Sequence, residues 1–323
     1  MEIDLSTFPD GLYQFGGSPV GPGSSVISAG GTWFWVDPAN GNDNNSGTKP
    51  AEPLKTLAAA EDKCVTGKHD GVFMMGSATA TAETASITWD KHNTHLIGLT
   101  PPTMYGIRNR VATVTTAISP LITISGNGCV FQNVMFVNEG NATTNPICAT
   151  LTGSRNYYGN VTFRTQGALA VVETTKRDVY FNSGDGENYF YKCTFGTDTY
   201  NGSADAANYV MEFAASTETA RNVFDGCLWL GSGSAGASWI KTGYGSLSSM
   251  QWFRDCLFYN NTNGTMNEMT QGFALNSSSG GSLIFQRTSY YGCATLETSN
   301  RGIILGEEVN AAGTTGKLLA LTF

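Results

Sequence analysis

The chain has 323 residues and a formal net charge of −8, with 41% hydrophobic and only 14% charged residues. No basic run is present to neutralise phosphates, so a nucleic-acid-binding surface is excluded. The apolar runs are too short to span a bilayer, so no membrane segment is expected. Ser, Thr, Asn and Gly take the place of the missing charges, which suits stacked turns better than charged helix faces.

Residues 1–32 carry Gly16-Gly17-Ser18-Pro19, Gly21-Pro22-Gly23 and Gly30-Gly31, a composition that supports neither a regular helix nor a central strand. They are expected to form an extended arm, with Phe8, Tyr13 and Phe15 as apolar anchors on a partner. The start, Met1-Glu2-Ile3-Asp4, is acidic and has no apolar segment of signal-peptide type. Order is expected from Trp33-Phe34-Trp35-Val36, a short aromatic strand that opens a domain over 33–323. A turn-rich loop follows, in which Asp37, Asn40, Asn42 and Asp43 point to self-hydrogen-bonded Asx turns. Those oxygens also suit a cation, although their spacing is not that of a helix–loop–helix calcium site. Pro53 then opens a predicted helix near 53–64, with Leu54, Leu57, Ala58 and Cys64 on its apolar side.

Beyond the helix the chain repeats aromatic-x-x-small apolar-x-aromatic. The first positions are Phe131, Tyr158, Phe190, Phe224, Phe253 and Phe285, so the units follow one another at about thirty residues. Side chains alternate along a strand, so the fourth and sixth positions of each unit share one face. The two residues between the first and fourth make the bend. Stacking like on like puts Val134, Val161, Cys193, Cys227 and Cys256 in one internal column, and Phe136, Phe163, Phe195, Trp229 and Phe258 in the next. Asn133 and Asn160 share a bend position where left-handed backbone is tolerated. Further strands are expected at 121–125, 146–151, 169–173, 209–213, 238–241, 272–275 and 302–305, about three per coil. The apolar segment 318–323 is placed as a cap on the last coil or as a contact to a neighbouring subunit. The seven cysteines form no Cys-x-x-Cys pair and replace apolar residues in the repeat, so they read as buried free thiols assembled in a reducing cytoplasm. The fold expected is an all-β, right-handed parallel β-helix of about 7–9 coils, with an N-terminal capping helix and an extended arm.

Two passages resemble the pectate-lyase-like β-helix superfamily. One is Val36-Asp37-Pro38-Ala39-Asn40-Gly41-Asn42-Asp43 with Ser46-Gly47-Thr48 and Pro53-Leu54-Lys55-Thr56-Leu57, similar to that superfamily's first strand, loop and capping helix. The other is the repeat with its Asn bends. The leader, the helix and the strand Thr94-His95-Leu96-Ile97-Gly98-Leu99 are also similar to small β-helical virion proteins of tailed bacteriophages. That resemblance implies a homotrimer in the virion, bound to the major capsid protein or another virion protein as a decoration or cement protein. Its alternative is a tailspike- or fibre-like protein that binds or cleaves host surface polysaccharide. This superfold hosts lyases, hydrolases, adhesins and inert virion proteins, so fold alone does not choose among them.

The residues themselves point away from catalysis. Asp225 falls beside Arg254 and Asp255 beside Arg287 in the stacked bends, a ladder of alternating charge that neutralises itself. No catalytic residues, metal or cofactor are assigned. The candidate for a glycan or cation site is the group Asp185, Glu187, Asp198 and Asp205, clustered in sequence around the turn Ser183-Gly184-Asp185-Gly186-Glu187. His92 and His95 lie close together but lack a third ligand for a metal.

Overall fold

The computed structural model describes the short strands Gln14–Phe15 and Ser18–Pro19, then residues 31–113, 117–139, 146–165, 175–182, 186–198, 208–233, 235–261, 268–278, 280–299 and 301–305. The chain winds as a parallel β-helix. Its strands stack into three long parallel sheets of ten, eight and seven strands. The first sheet runs from Trp33–Val36 to Gly302–Leu305, the second from Thr81–Ala82 to Ser289–Tyr291, and the third from Ile87–Trp89 to Phe273–Ala274. Each of the seven strands of the third sheet has a counterpart in the other two, so the described residues make about seven coils. The right-handed course is the one that twisted parallel strands favour.

The repeat sets the register. Its first positions pair through the first sheet as Phe131↔Tyr158, Tyr158↔Phe190, Phe190↔Phe224, Phe224↔Phe253 and Phe253↔Phe285. Its sixth positions pair through the second sheet as Phe136↔Phe163↔Phe195↔Trp229↔Phe258↔Tyr290. These rings stack inside the coil: Tyr158–Phe190, Phe190–Phe224 and Phe224–Phe253 have centroids 4.5, 4.7 and 4.7 Å apart. Such offset stacking adds to the burial of apolar area. Val134, Val161, Cys193, Cys227 and Cys256 form the expected buried column, and all seven cysteines are free and buried.

The bend is tighter than the two residues expected. The second position of each unit ends its strand, and the third alone turns the chain. Asn133, Asn160, Lys192, Gly226, Asp255 and Arg287 all have φ between 49° and 61°. One residue in the left-handed region redirects the chain sharply enough for ladder pairing to persist on both sides of it.

The expected helix needs correction. The helix is Leu57–Lys63 and does not begin at Pro53. Leu54 is held as an extended residue, because its N–H donates to the Trp35 carbonyl at 2.8 Å and its own carbonyl accepts from Asp37 N at 2.9 Å. Thr56 is the N-cap and accepts from Ala59 N, while Asp43 accepts from Lys55 N and Thr56 N. Leu57 and Ala60 are buried, with Ala58 only partly so. The expected strand at 169–173 lies outside the described residues, and the strand that stacks on Ile147–Leu151 is Arg177–Phe181. Gly302–Leu305 is the last strand of the first sheet, paired with Leu283–Gln286. Of the expected arm, Phe8 and Tyr13 lie outside the described residues, and Phe15 ends a two-residue strand antiparallel to Ser18–Pro19. The segment 318–323 is likewise outside them.

Candidate functional sites on the coil surface

The corners of the coil hold ladders of polar groups. In the bend between the first and second sheets, Arg254 donates to Asp225 at 2.6 Å and Arg287 to Asp255 at 2.7 Å, as the aligned bends predict. Tyr189 Oη donates to the same Asp225 carboxylate and accepts from Arg254. The Arg287 guanidinium holds the Asp255 carboxyl below its ordinary value. At the opposite corner, between the third and first sheets, Glu187 lies between Arg155 and Arg221 at 2.8 and 2.7 Å.

Inside that same corner runs a ladder that the sequence reading missed. Asn156 Oδ1 accepts from Cys129 N at 2.7 Å, Asn188 Oδ1 from Asn156 N at 2.9 Å, and Asn222 Oδ1 from Asn188 N at 3.0 Å. Gln251 continues it by accepting from the Asn222 side chain at 2.8 Å. The signal was present: an amide stands two residues before the first aromatic of four successive units.

The residues proposed as an acidic site are not one group. Asp185 and Asp205 lie outside the described residues. Glu187 is held between Arg155 and Arg221, at the corner between the third and first sheets. Asp198 follows the second-sheet strand Thr194–Gly196, at a different corner. There it lines a cavity of about 190 Å³ over the outer face of the second sheet, with Arg164, Thr162 and Met135 among its other walls. The roof is the loop through Met104 and Tyr105, which reaches across several coils so that its Met104 carbonyl accepts from Thr194 Oγ1 at 3.3 Å.

The outer face of the third sheet carries a second cluster of one carboxylate between two cations. Arg177 Nε donates to Glu212 Oε2, and Lys241 Nζ donates to Glu212 Oε1 at 3.1 Å. Lys241 lies over the Tyr209 ring at 4.6 Å and Arg177 over Tyr180 at 5.4 Å. Strand register brings these residues together from three coils: Tyr180 pairs with Glu212, and Glu212 with Lys241. The cluster has two cations and one carboxylate. It can hold an anionic or hydroxyl-rich ligand against tyrosine rings, whereas Glu212, engaged by both cations, is a poor general base. Nothing in the sequence pairs Arg177 and Lys241 with Glu212, because they lie 35 and 29 residues away from it.

The Asp37 loop hydrogen-bonds to itself. Burial pushes the Asp37 carboxyl up, but bonds from the Asn40 side chain and from the Asn40 and Ala39 backbones outweigh it and hold the group below its ordinary value. Asp43 is engaged by the helix cap. Among the described residues no cluster of three or more His, Cys, Asp or Glu is arranged to hold a metal. The histidines that meet are His69 and His95, 3.4 Å apart, rather than His92 and His95. His92 accepts from Asn127 N. Burial, and then His69, lowers the His95 pKa to about 4. No helix among the described residues is long and apolar enough to cross a membrane.

No family model and no curated protein matches the chain. Solved structures do. Pectate lyase Pel9A superposes with a TM-score of 0.55 at 12% identity, covering 84% of this chain and 74% of that one. A rhamnogalacturonan lyase gives 0.54 at 13%, covering 80% and 68%. The pectin methylesterase from Aspergillus niger gives 0.50 at 12%, covering 87% and 88%. At such identities the likeness concerns the path of the backbone, and it establishes that this chain has the pectate-lyase-like parallel β-helix fold.

Proposed function

We propose that the protein is a non-catalytic structural component of a bacteriophage particle, a homotrimeric decoration or cement protein that binds the major capsid protein or another virion protein. The observation that supports a scaffold is the state of the surface carboxylates. Glu187, Glu212, Asp225 and Asp255 are each held by an Arg or Lys of a neighbouring coil. A glycoside hydrolase of this shape needs two carboxylates free to exchange protons across a groove. The arm over residues 1–32, with Phe8, Tyr13 and Phe15, is the proposed attachment segment. The test is deletion of residues 1–32: the shortened protein should keep its β-sheet circular-dichroism spectrum and lose co-sedimentation with particles. Undiminished co-sedimentation would refute the attachment role.

The Arg177–Glu212–Lys241 cluster, flanked by Tyr180 and Tyr209, favours a second reading in which host surface polysaccharide is bound on the third sheet. The similar structures include enzymes of pectin and rhamnogalacturonan, which supports a saccharide as the ligand class. Retention on immobilised host polysaccharide that falls on Lys241→Met would support it. Clearing of a bacterial lawn by the purified protein would instead establish turnover and overturn the non-catalytic reading.

A further inference from the structure

The loop from Thr100 to Asn109 arches over the outer face of the second sheet. Its base is closed by Asn109 Nδ2, which donates to Thr100 Oγ1 at 2.6 Å and to the Asn133 carbonyl at 3.0 Å. One limb is anchored by Ile107, buried against Ala112, Met135 and Val137 of that sheet. The tip is pinned to the strand Thr194–Gly196 through the Met104 carbonyl, which accepts from Thr194 Oγ1. Held at these points, the segment from Met104 to Gly106 roofs the cavity of about 190 Å³ instead of packing onto the sheet. The floor is hollow for a reason of sequence. Pairing of Phe163 with Phe195 sets Arg164 beside Gly196, and Gly196 pairs with Leu230. The missing side chain at Gly196 leaves a gap in that outward column between Arg164 and Leu230. Its φ of 82°, and a Leu230 carbonyl oxygen 2.1 Å from where a Cβ would stand, reserve the position for glycine.

We propose that this cavity binds one neutral pyranose ring, as a free monosaccharide or as the terminal residue of a glycan. Size sets the first limit. A cavity of ~150 Å³ accepts a benzene ring, so one of about 190 Å³ admits a single six-membered ring with its substituents. Charge sets the second. The charged side chains among its described walls are Arg164 and Asp198, of opposite sign. A charged ligand would meet one of them as a like charge, whereas hydroxyl groups accept from a guanidinium and donate to a carboxylate. The other walls set the third. Thr162, Thr194 and Thr197 bring hydroxyls, and Met104, Met135 and Leu230 bring apolar surface. A zwitterionic amino acid would satisfy the two charges and leave the threonines unused, while a ring bearing several hydroxyls engages both. Tyr105, 62% exposed in the roof, offers an aromatic ring on which the C–H face of a sugar can lie. The inference goes beyond the readings above, because this cavity is on the second sheet and the Arg177–Glu212–Lys241 cluster is on the third.

Saturation-transfer NMR on the full chain tests this with D-glucose, D-galactose, D-mannose, L-rhamnose and N-acetyl-D-glucosamine, each at up to about 20 mM. At least one of these sugars should receive saturation, with a dissociation constant on the order of 1 mM, as expected for a ligand of one ring. Asp198→Asn should weaken that binding about tenfold and Tyr105→Ala about fivefold. Circular dichroism verifies that both variants fold, and Tyr105, being exposed, can be truncated without opening the core. The methyl glycoside of the bound sugar separates the two sources: affinity within about threefold of the free sugar marks a glycan terminus, and a loss of about tenfold or more marks the free monosaccharide. Absence of saturation for every one of these sugars would overturn the proposal, as would equal affinity in the wild type and both variants. Binding that survives Tyr105→Ala and Asp198→Asn but is lost in Lys241→Met would move the ring to the third sheet and overturn it too. None of these outcomes depends on particle binding by residues 1–32, so failure of this inference is separable from failure of the scaffold reading.

Discussion

The buried amide ladder gives the sharpest test of how the coils are held in register. Asn188 is 1% exposed. Its Oδ1 accepts from Asn156 N at 2.9 Å and its Nδ2 donates to the Gly153 carbonyl at 3.2 Å, both in the preceding coil. Asn188→Ala leaves a buried N–H and a buried carbonyl without partners. Each such group costs ~1–3 kcal/mol, so the substitution should destabilise by about 2–6 kcal/mol. The loss should be local, because a coil touches only its neighbours. Native-state hydrogen exchange reads both aspects: protection of the Asn156 amide should fall by at least tenfold, while the amides of the strand Gly71–Met74, several coils away, keep theirs. Unchanged protection at Asn156, or a midpoint in urea indistinguishable from wild type, would refute the claim that this ladder couples adjacent coils.

Three further outcomes follow from the geometry. The His95 pKa is lowered to about 4 by burial and by His69. Neutral His95 therefore contributes stability that is complete above pH 6.5 and is lost as pH falls towards 4, by up to about 3 kcal/mol; His95→Gln should flatten that acid limb in thermal melts between pH 7 and 4. Burial raises the thiols of Cys64 and Cys293 to about 12 and those of Cys148, Cys227 and Cys256 also upward. At pH 8 the folded chain should therefore resist iodoacetamide, with all seven cysteines modified once it is unfolded, as intact mass will report. Arg254→Met removes the cation from Asp225, whose side chain is only 16% exposed, and should cost roughly 1–2 kcal/mol, whereas Arg287→Met, in an open pair, should leave the melting temperature unchanged.

The sequence by itself determined the coil. A unit that recurs about every thirty residues must stack like on like, so the columns of Phe136, Phe163 and Phe195 and the ion pairs Asp225–Arg254 and Asp255–Arg287 were legible from spacing alone. The seven buried thiols were legible for the same reason. Local competition escaped that reading. Leu54 has helical spacing, yet a bridge to Val36 holds it extended, and the strand at 177–181 fills a sheet position that apolar composition had assigned to 169–173. Only the tertiary structure decided which residues share an outward face. Arg177, Glu212 and Lys241 lie 35 and 29 residues apart and meet because three strands align, and loop lengths differ from coil to coil, so no fixed sequence interval marks them. The same holds for Glu187 and Asp198. They are eleven residues apart in the chain, but the coil turns between them and sends one to the corner beside Arg155 and Arg221 and the other to the cavity beneath Tyr105.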